Sequence, residues 1–171
     1  MRVAEAIAEY LKDKGCTHVF GLVGGANSWL FDAFAKRMEV VCVAHEQAAA
    51  MAATYYYRTC GRLAPVLVTA GAGCMNTLTG VMAANMDGIP LLVISGNEKS
   101  MYFDTPQRRG IGFQGFIPSR VVGSFVKWCT SMDNALETMW AIEMACRIAL
   151  EHRQGPVWVD VPQDIAAAEM P

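Results

Sequence analysis

The chain alternates short apolar runs with amphipathic segments, and this alternation constrains its fold more than any other feature. Residues 39–44, 65–69 and 89–96 are rich in apolar, often β-branched side chains and show no regular polar alternation. Runs of this kind are typical of strands that are buried on both faces of a parallel sheet. Because predicted helices separate the runs, the sequence predicts a three-layer α/β/α fold with a mostly parallel central sheet.

The predicted helices and strands have recognisable boundary signals. Val3 to Lys14 places apolar residues at helical spacing, and Gly15 ends the pattern. Further helices are predicted from a cap at Asn27 or Ser28 to about Lys36, from His45 to Thr59, from Asn76 to Asn85, and from a cap at Asp133 or Asn134 to about His152. Further strands are predicted at residues 17–23, 125–129 and 156–162. Residues 97–123 lack a clear period and are predicted to form a long functional loop with room for one short helix.

Length and composition narrow the function classes. The 171 residues predict one domain over residues 1–171, and 53% apolar content with 18% charged residues predicts surface covered by partner subunits. A net charge of −2 without clustered lysines or arginines argues against nucleic acid as a partner. No apolar run reaches the roughly 18 residues of a membrane-spanning helix. The amphipathic start is unlike a signal peptide, so we expect a cytoplasmic protein without membrane contact.

Six cysteines are spread singly along the chain, at positions 16, 42, 60, 74, 129 and 146. They form no CxxC pair, and no histidine lies at metal-ligand spacing, so no metal site is predicted in this chain. The cysteines are predicted to be buried small hydrophobic side chains. Cys74 lies in a glycine-rich loop, but nothing near it in sequence marks an activated nucleophile.

Three glycine-rich or polar turns follow predicted strands. They span residues 24–27, 45–47 and 71–76. Since parallel α/β sheets bind ligands at the carboxyl ends of their strands, these turns predict a ligand site at one edge of the sheet. None of them has the GxGxxG or P-loop pattern, so the turns alone do not identify the ligand.

Glu46 is the most pointed candidate for chemistry. It follows the apolar residues 40–44 and precedes an alanine-rich segment, which leaves it few charge partners. One interpretation is a buried acid suited to proton exchange, and the other is an exposed first-turn residue that complements the helix dipole. His45 fits a surface position or a packed position.

Five strings occur in an order and spacing that resemble one known family. They are VFGLVGGA (19–26), HEQAAAMAA (45–53), TAGAGCMNTLTG (69–80), MDGIPLLVISG (86–96) and GPVWVDVP (155–162). Nearly the whole chain therefore resembles the pyrimidine-binding (PYR) domain of thiamine-diphosphate-dependent enzymes of the acetolactate synthase and 2-oxo acid decarboxylase group. The resemblance implies the PYR fold and thiamine diphosphate as the cofactor.

The resemblance also implies roles for individual residues. In the family, the glutamate at the position of Glu46 hydrogen-bonds N1′ of the aminopyrimidine and so promotes loss of the proton from C2 of the thiazolium. The activated cofactor attacks a 2-oxo acid, and loss of carbon dioxide leads to an aldehyde or to addition to a second carbonyl. Gln114 is implied to act with Glu46 in catalysis. The implied cofactor-binding residues are Leu22, Val23, Glu46, Thr69, Ala72 and Asn76.

Several positions differ from the family pattern. The usual Pro-Gly, Gly-Pro-Gly and Phe-Gln-Glu are here Val-Gly (23–24), Gly-Ala-Gly (71–73) and Phe-Gln-Gly (113–115). The adjacent histidine pair of pyruvate decarboxylases is missing from the loop. Residues 55–57 are three tyrosines where the family usually has small residues, and they are predicted to pack in an interface.

The family's second binding motif, Gly-Asp-Gly followed by an asparagine, does not occur in the sequence. The resemblance therefore implies a partner domain or subunit that holds Mg²⁺ and the diphosphate, with the active site between the two. We expect the small subunit of a split enzyme, as in sulfopyruvate decarboxylases, and the alternative is a piece of a longer chain. The expected assembly is a hetero-tetramer with self-association through PYR domains.

The sequence leaves three alternatives to an acetolactate synthase-like decarboxylase or carboligase. A sulfopyruvate or phosphonopyruvate decarboxylase-type alpha subunit shares the same cofactor chemistry. A catalytically silent regulatory or scaffold subunit has no need for a buried acid together with Asn76 and Gln114. A nucleotide-binding module needs an acidic ribose-binding residue after a GxGxxG turn, which the sequence lacks.

Overall fold

The structure is a computed structural model that describes residues 1–102 and 114–170. In this part of the chain the strands are β1 (His18–Gly21), β2 (Glu39–Cys42), β3 (Val66–Val68), β4 (Leu91–Asn97), β5 (Trp128–Ser131) and β6 (Pro156–Pro162). The helices are α1 (Val3–Asp13), α2 (Ser28–Ala35), α3 (Glu46–Cys60), α4 (Ala72–Met75), α5 (Leu78–Asp87), α6 (Pro118–Val122), α7 (Ala135–Leu150) and α8 (Gln163–Ala167). Short 3₁₀ turns occur at Gly25–Asn27 and Ser100–Tyr102.

The strands form one sheet in the order β2-β1-β3-β4-β6-β5, and every neighbouring pair is parallel. Helices α1, α2, α7 and α8 cover one face, with Leu30, Phe34 and Leu92 in the core there. Helices α3 to α6 cover the other face, around Val93 and Trp158. The predicted three-layer α/β/α fold with a parallel sheet is confirmed.

Local sequence explains where the helices begin and end. The side chain of Asn134 caps α7 by accepting a hydrogen bond from the backbone N–H of Glu137 at 2.9 Å. His45 has extended backbone and caps α3, since its Nδ1 accepts from the N–H of Gln47 at 3.2 Å. Helix α3 ends at Gly61, whose φ of 67° lies in the left-handed region that glycine adopts without strain.

The strand at residues 39–42 differs from its prediction as a buried strand. It lies at the edge of the sheet, and among the described strands it pairs only with β1. Glu39 and Cys42 are exposed, and the two valines between them are half-buried. Apolar composition does not reveal which strand has a single neighbour, because that depends on the order in which the strands assemble.

The prediction of buried cysteines was also wrong in part. Cys16, Cys74 and Cys146 are buried, but Cys42 and Cys60 are exposed and Cys129 is half-buried. Cys42 lies on the edge strand β2, and Cys60 lies in the last turn of α3. Side chains at a sheet edge or a helix end have fewer neighbours to cover them.

Several boundaries and one helix differ from the sequence-based expectations. The strand expected at residues 125–129 begins at Trp128, because Phe125 still belongs to a turn after α6 in which its N–H bonds Val122 O at 2.8 Å. The turn expected at residues 71–73 opens the short helix α4, and α8 follows the last strand where no helix was expected. Of the loop predicted at residues 97–123, positions 103–113 lie outside the described residues.

The three consecutive tyrosines of α3 face different surroundings. Tyr55 is 64% exposed. Tyr56 packs on His18 with ring centroids 4.9 Å apart, and Tyr57 donates a hydrogen bond to Gln154 Oε1 at 3.2 Å. Successive residues of a helix point about 100° apart, so only Tyr55 has the exposure that the predicted interface role requires.

No helix in the described part of the chain is long and apolar enough to cross a membrane.

Candidate functional site

The order of the strands brings the three turns predicted to bind a ligand to one edge. Strands β2, β1 and β3 are neighbours in the sheet, and their carboxyl ends lead into Glu46, Gly24 and Thr69. Parallel strands end at a common edge, where side chains that follow different strands meet. The structure thus places these residues in one cluster, which we call the carboxyl-edge cluster and which also includes Gly73 and Asn76.

Glu46 is the buried acid of the carboxyl-edge cluster. It is the first residue of α3 and is 6% exposed, so its interpretation as an exposed first-turn residue is wrong. Asn76 Nδ2 donates a hydrogen bond to Glu46 Oε2 at 3.0 Å. A buried carboxyl group requires such a partner, because burial without a hydrogen bond costs free energy. The amide therefore fixes the orientation of the acid.

Two glycines allow the turns to approach each other. A Cβ atom added at Gly73 would lie 2.8 Å from Thr69 Cγ2 and 3.0 Å from Glu46 Oε1. A Cβ atom added at Gly24 would lie 2.5 Å from Thr69 Cβ. Contacts this short do not occur between real side chains, so Thr69 occupies space that only glycines on both sides leave open.

Asn27 ties the first turn together. Its side chain is fully buried, accepts from the N–H of Gly24 at 2.7 Å and donates to Leu22 O at 3.1 Å. Asn27 occupies the N-cap position of α2 and is one of the two expected caps, but its side chain does not cap the helix, because these two bonds occupy the amide. The turn holds Leu22 half-buried and leaves Val23 59% exposed beside the cluster.

Helix α4 orders the third turn. Cys74 is fully buried, and its thiol donates to Gly71 O at 2.9 Å. Burial raises the pKa of Cys74 to about 12, so it stays a neutral thiol and is no nucleophile at neutral pH. Ala72 remains exposed at the start of the helix, while Gly73 faces Glu46.

Gln114 stands apart from the carboxyl-edge cluster. It is exposed, lies four residues before α6, and makes no hydrogen bond to Glu46, Thr69 or Asn76. Its neighbour Phe113 lies outside the described residues. The structure therefore joins Glu46, Thr69 and Asn76 but does not join Gln114 to them.

Asp160 is a second buried acid on the same face of the sheet, and the sequence did not single it out. Asp160 of β6 is fully buried and accepts hydrogen bonds from Ser95 Oγ, from Trp158 Nε1 at 2.8 Å and from the N–H of Ser119 at 2.8 Å. Burial raises the pKa of Asp160, and these hydrogen bonds oppose the rise. A charged residue inside the apolar run 156–162 was the available signal, since buried acids require partners.

Asn97, at the end of β4, is a further buried polar residue that the sequence did not single out. It is 1% exposed, and its Oδ1 accepts from the N–H of Glu98 at 2.9 Å. Its Nδ2 has no partner among the residues that the structure describes. Those residues also contain no group of three or more His, Cys, Asp or Glu side chains that could hold a metal ion.

A parallel α/β domain with a buried carboxyl group, an amide donor and closely packed glycines at the carboxyl ends of its strands is a small-molecule-binding domain. Comparison with known families names the class. The family model described as thiamine pyrophosphate enzyme, N-terminal TPP binding domain, matches residues 1–116, and the chain belongs to this family.

Similar proteins include acetolactate synthase large subunits. That of Buchnera aphidicola (subsp. Acyrthosiphon pisum) is 35% identical over 167 residues, which cover 95% of this chain and 28% of the relative. That of Haemophilus influenzae is 34% identical over 163 residues, 94% of this chain and 28% of the relative. The isozyme 3 large subunit of Escherichia coli K12 is 35% identical over 167 residues. The chain thus spans about 28% of the length of these relatives.

Proposed function

We propose that this chain is the pyrimidine-binding part of a thiamine-diphosphate-dependent 2-oxo acid decarboxylase or carboligase of the acetolactate synthase type. The observation that carries the proposal is Glu46, a carboxyl group that is 6% exposed and oriented by Asn76 at the carboxyl edge of the sheet. A purely structural domain gains nothing from an acid at this position. Burying a carboxyl group costs free energy, whereas burying an apolar side chain there would not.

The residues of the carboxyl-edge cluster fit an aromatic heterocycle with ring nitrogens. Gly24 and Gly73 keep the space beside Thr69 and Glu46 free of Cβ atoms. The acid offers a proton-exchanging group for a ring nitrogen, and the exposed Val23 offers an apolar surface. When bound, thiamine diphosphate supplies the electron sink for cleavage of the bond next to the carboxylate of a 2-oxo acid.

The chain's own residues then have separate roles in the proposal. Glu46 holds and exchanges the proton through Oε1, the oxygen on the Gly73 side, because Oε2 is engaged by Asn76. The wall of the pyrimidine site consists of Leu22, Val23, Thr69, Ala72 and Asn76. Gln114 acts at the reacting atoms of the substrate, from the segment that leads into α6.

The diphosphate and Mg²⁺ are assigned to a partner domain or subunit, in a hetero-oligomer with self-association through PYR domains. Two observations support a partner. The relatives are more than three times longer than the aligned region. In addition, α3 and α5 expose large apolar side chains, with Tyr55 at 64% and Met86 at 68%.

The test is 2-oxo acid turnover with thiamine diphosphate and Mg²⁺, using the chain alone and the chain with its diphosphate-binding partner. We expect activity only in the pair, and Glu46→Gln lowers kcat at least about 100-fold because the proton-exchanging group is lost. Glu137→Gln is the matched control, since Glu137 also lies in the first turn of a helix but is exposed. An active Glu46→Gln pair, or a pair inactive on every 2-oxo acid, contradicts the proposal.

A further inference from the structure

Asp160 uses both carboxylate oxygens to join three elements of the fold. Oδ1 accepts from Ser95 Oγ on β4 and from Trp158 Nε1 on β6, while Oδ2 accepts from the backbone N–H of Ser119 on α6. The side chain of Ser119 also acts to lower the pKa of Asp160. No other acid in the described part of the chain is fully buried.

Both backbone polar groups of Ser119 are hydrogen-bonded. Its N–H is bound by Asp160 at 2.8 Å, and its carbonyl oxygen accepts from Cys129 Sγ on β5 at 3.2 Å. The residue before α6, Ile117, provides no side-chain cap. Asp160 therefore takes over the role of a capping acceptor from a neighbouring strand.

The chain that enters α6 carries Gln114. Gln114 lies five positions before Ser119, so their Cα atoms cannot be more than about 18 Å apart. The residues between them are held in place as well, since Ile117 is 4% exposed and Phe116 packs on the core that contains Trp158. A displacement of Ser119 is therefore expected to displace Gln114 as well, because a short, packed segment joins the two residues.

We propose that Asp160 is a positioning residue that fixes the start of α6 and, through it, the position of Gln114 relative to the carboxyl-edge cluster. The inference rests on the proposed function, because Gln114 acts on substrate only if the enzyme is a 2-oxo acid decarboxylase or carboligase. Asp160 itself is fully buried and touches no reacting atom. Its effect on turnover passes through Gln114.

The first experiment needs no catalysis. Hydrogen exchange of the backbone amides of residues 114–122 is measured in the full chain for wild type, Asp160→Asn and Ser95→Ala. Asp160→Asn leaves one acceptor oxygen. Two donors point at the Oδ1 position and only one at the Oδ2 position, so the amide nitrogen is expected to face the N–H of Ser119 and to abolish that bond. We expect protection at Ser119 to fall at least about tenfold. Ser95→Ala is the matched control, because it removes an Oδ1 donor and leaves the Ser119 bond intact.

The second experiment is a double-mutant cycle on kcat in the complex with the diphosphate-binding partner. Asp160→Asn is expected to lower kcat roughly 10- to 100-fold, as for a misplaced catalytic group. In a Gln114→Ala background the same change has no further effect, because the residue it positions is absent. Cys129→Ala, which removes the thiol donor to the carbonyl oxygen of Ser119, is the milder second variant if Asp160→Asn does not fold, and its smaller losses are expected to follow the same pattern.

The outcomes separate this inference from the proposed function. Unchanged protection at Ser119, or equal losses of kcat with and without Gln114, overturns the inference. Loss of protection together with a loss of kcat that vanishes in the Gln114→Ala background supports it. If wild-type complex turns over no 2-oxo acid, the proposed function has failed, and the exchange experiment still decides whether Asp160 anchors α6.

Discussion

At the scale of single residues, the carboxyl-edge cluster depends on glycines, which have no Cβ atom. Gly73 leaves room for both Thr69 and Glu46, and the nearest atom of that acid would be only 3.0 Å from an added Cβ. Asn76 holds the other carboxylate oxygen at 3.0 Å. The position of the acid is thus set by one hydrogen bond on one side and by an absent methyl group on the other.

Gly73→Ala tests this arrangement. The added Cβ pushes against Thr69 and displaces Glu46, so we expect a loss of stability of about 1–3 kcal/mol and a fall in turnover of roughly tenfold or more. Gly25→Ala is the control, because no atom lies within 4 Å of a Cβ added there. Equal effects of the two substitutions on urea midpoint and kcat contradict the prediction.

The raised pKa of Asp160 predicts how stability depends on pH. Because burial raises this pKa in the folded chain, the folded state binds the proton more tightly than the unfolded state. The contribution of Asp160 to the free energy of unfolding is therefore largest below the ordinary aspartate pKa and is lost as the pH rises through the raised value. Urea unfolding from about pH 4 to pH 8 should show this decline in wild type relative to Asp160→Asn. A difference between the two that does not vary with pH contradicts it.

Sequence was a good guide to residues in turns and a poor one to residues in strands. The glycine-rich turns and Glu46 stand out by type and spacing, and the order of parallel strands brings them together. The contact of Gly24 with Thr69 joins residues 45 positions apart, and spacing alone does not show it. Asp160 was missed because two of its partners, Ser95 on β4 and Ser119 on α6, are remote in sequence.

At the scale of elements, helix α7 shows a capping signal that the sequence predicts correctly. Asn134 was one of two expected caps, and its Oδ1 accepts from the N–H of Glu137 at 2.9 Å. Long helices with such a signal can be located from sequence, because the cap is local. Helices of four or five residues such as α4, α6 and α8 form because of tertiary contacts and give no periodic pattern.

Removing the cap of α7 should weaken the fold by a modest amount. We expect Asn134→Ala to cost about 1 kcal/mol in the free energy of unfolding, because the N–H of Glu137 loses its acceptor. Asn134→Asp keeps an acceptor and should stay within about 0.5 kcal/mol of wild type. Urea denaturation of the three proteins measures both values, and a similar cost for the two substitutions argues against a capping role.

At the scale of the whole molecule, two exposed aromatic residues lie on opposite faces. Tyr55 on α3 is 64% exposed, and Trp140 on α7 is 59% exposed. Helices α3 and α7 cover opposite sides of the sheet. An aromatic side chain that is exposed in one chain is a frequent centre of binding energy in an interface.

The proposed assembly predicts different consequences for the two faces. Tyr55→Asp should weaken association in the complex roughly tenfold or more, since it places a charge in a desolvated contact. Trp140→Asp, on the opposite face, should leave association unchanged. Sedimentation velocity of the chain with its diphosphate-binding partner measures the difference. Equal weakening by both substitutions, or none by Tyr55→Asp, contradicts an interface on the α3 side.

The order of the strands also determines when the parts of the molecule can come together during synthesis. Strand β5 precedes β6 in the chain but borders only β6 in the described sheet. The carboxylate that anchors α6 belongs to β6 as well. On the ribosome, residues 118–131 therefore emerge before β6, the strand that both α6 and β5 contact, and must wait for about 30 further residues. A nascent chain that stalls before β6 can pair its first four strands. It still lacks β6, and with it the carboxylate that holds the start of α6.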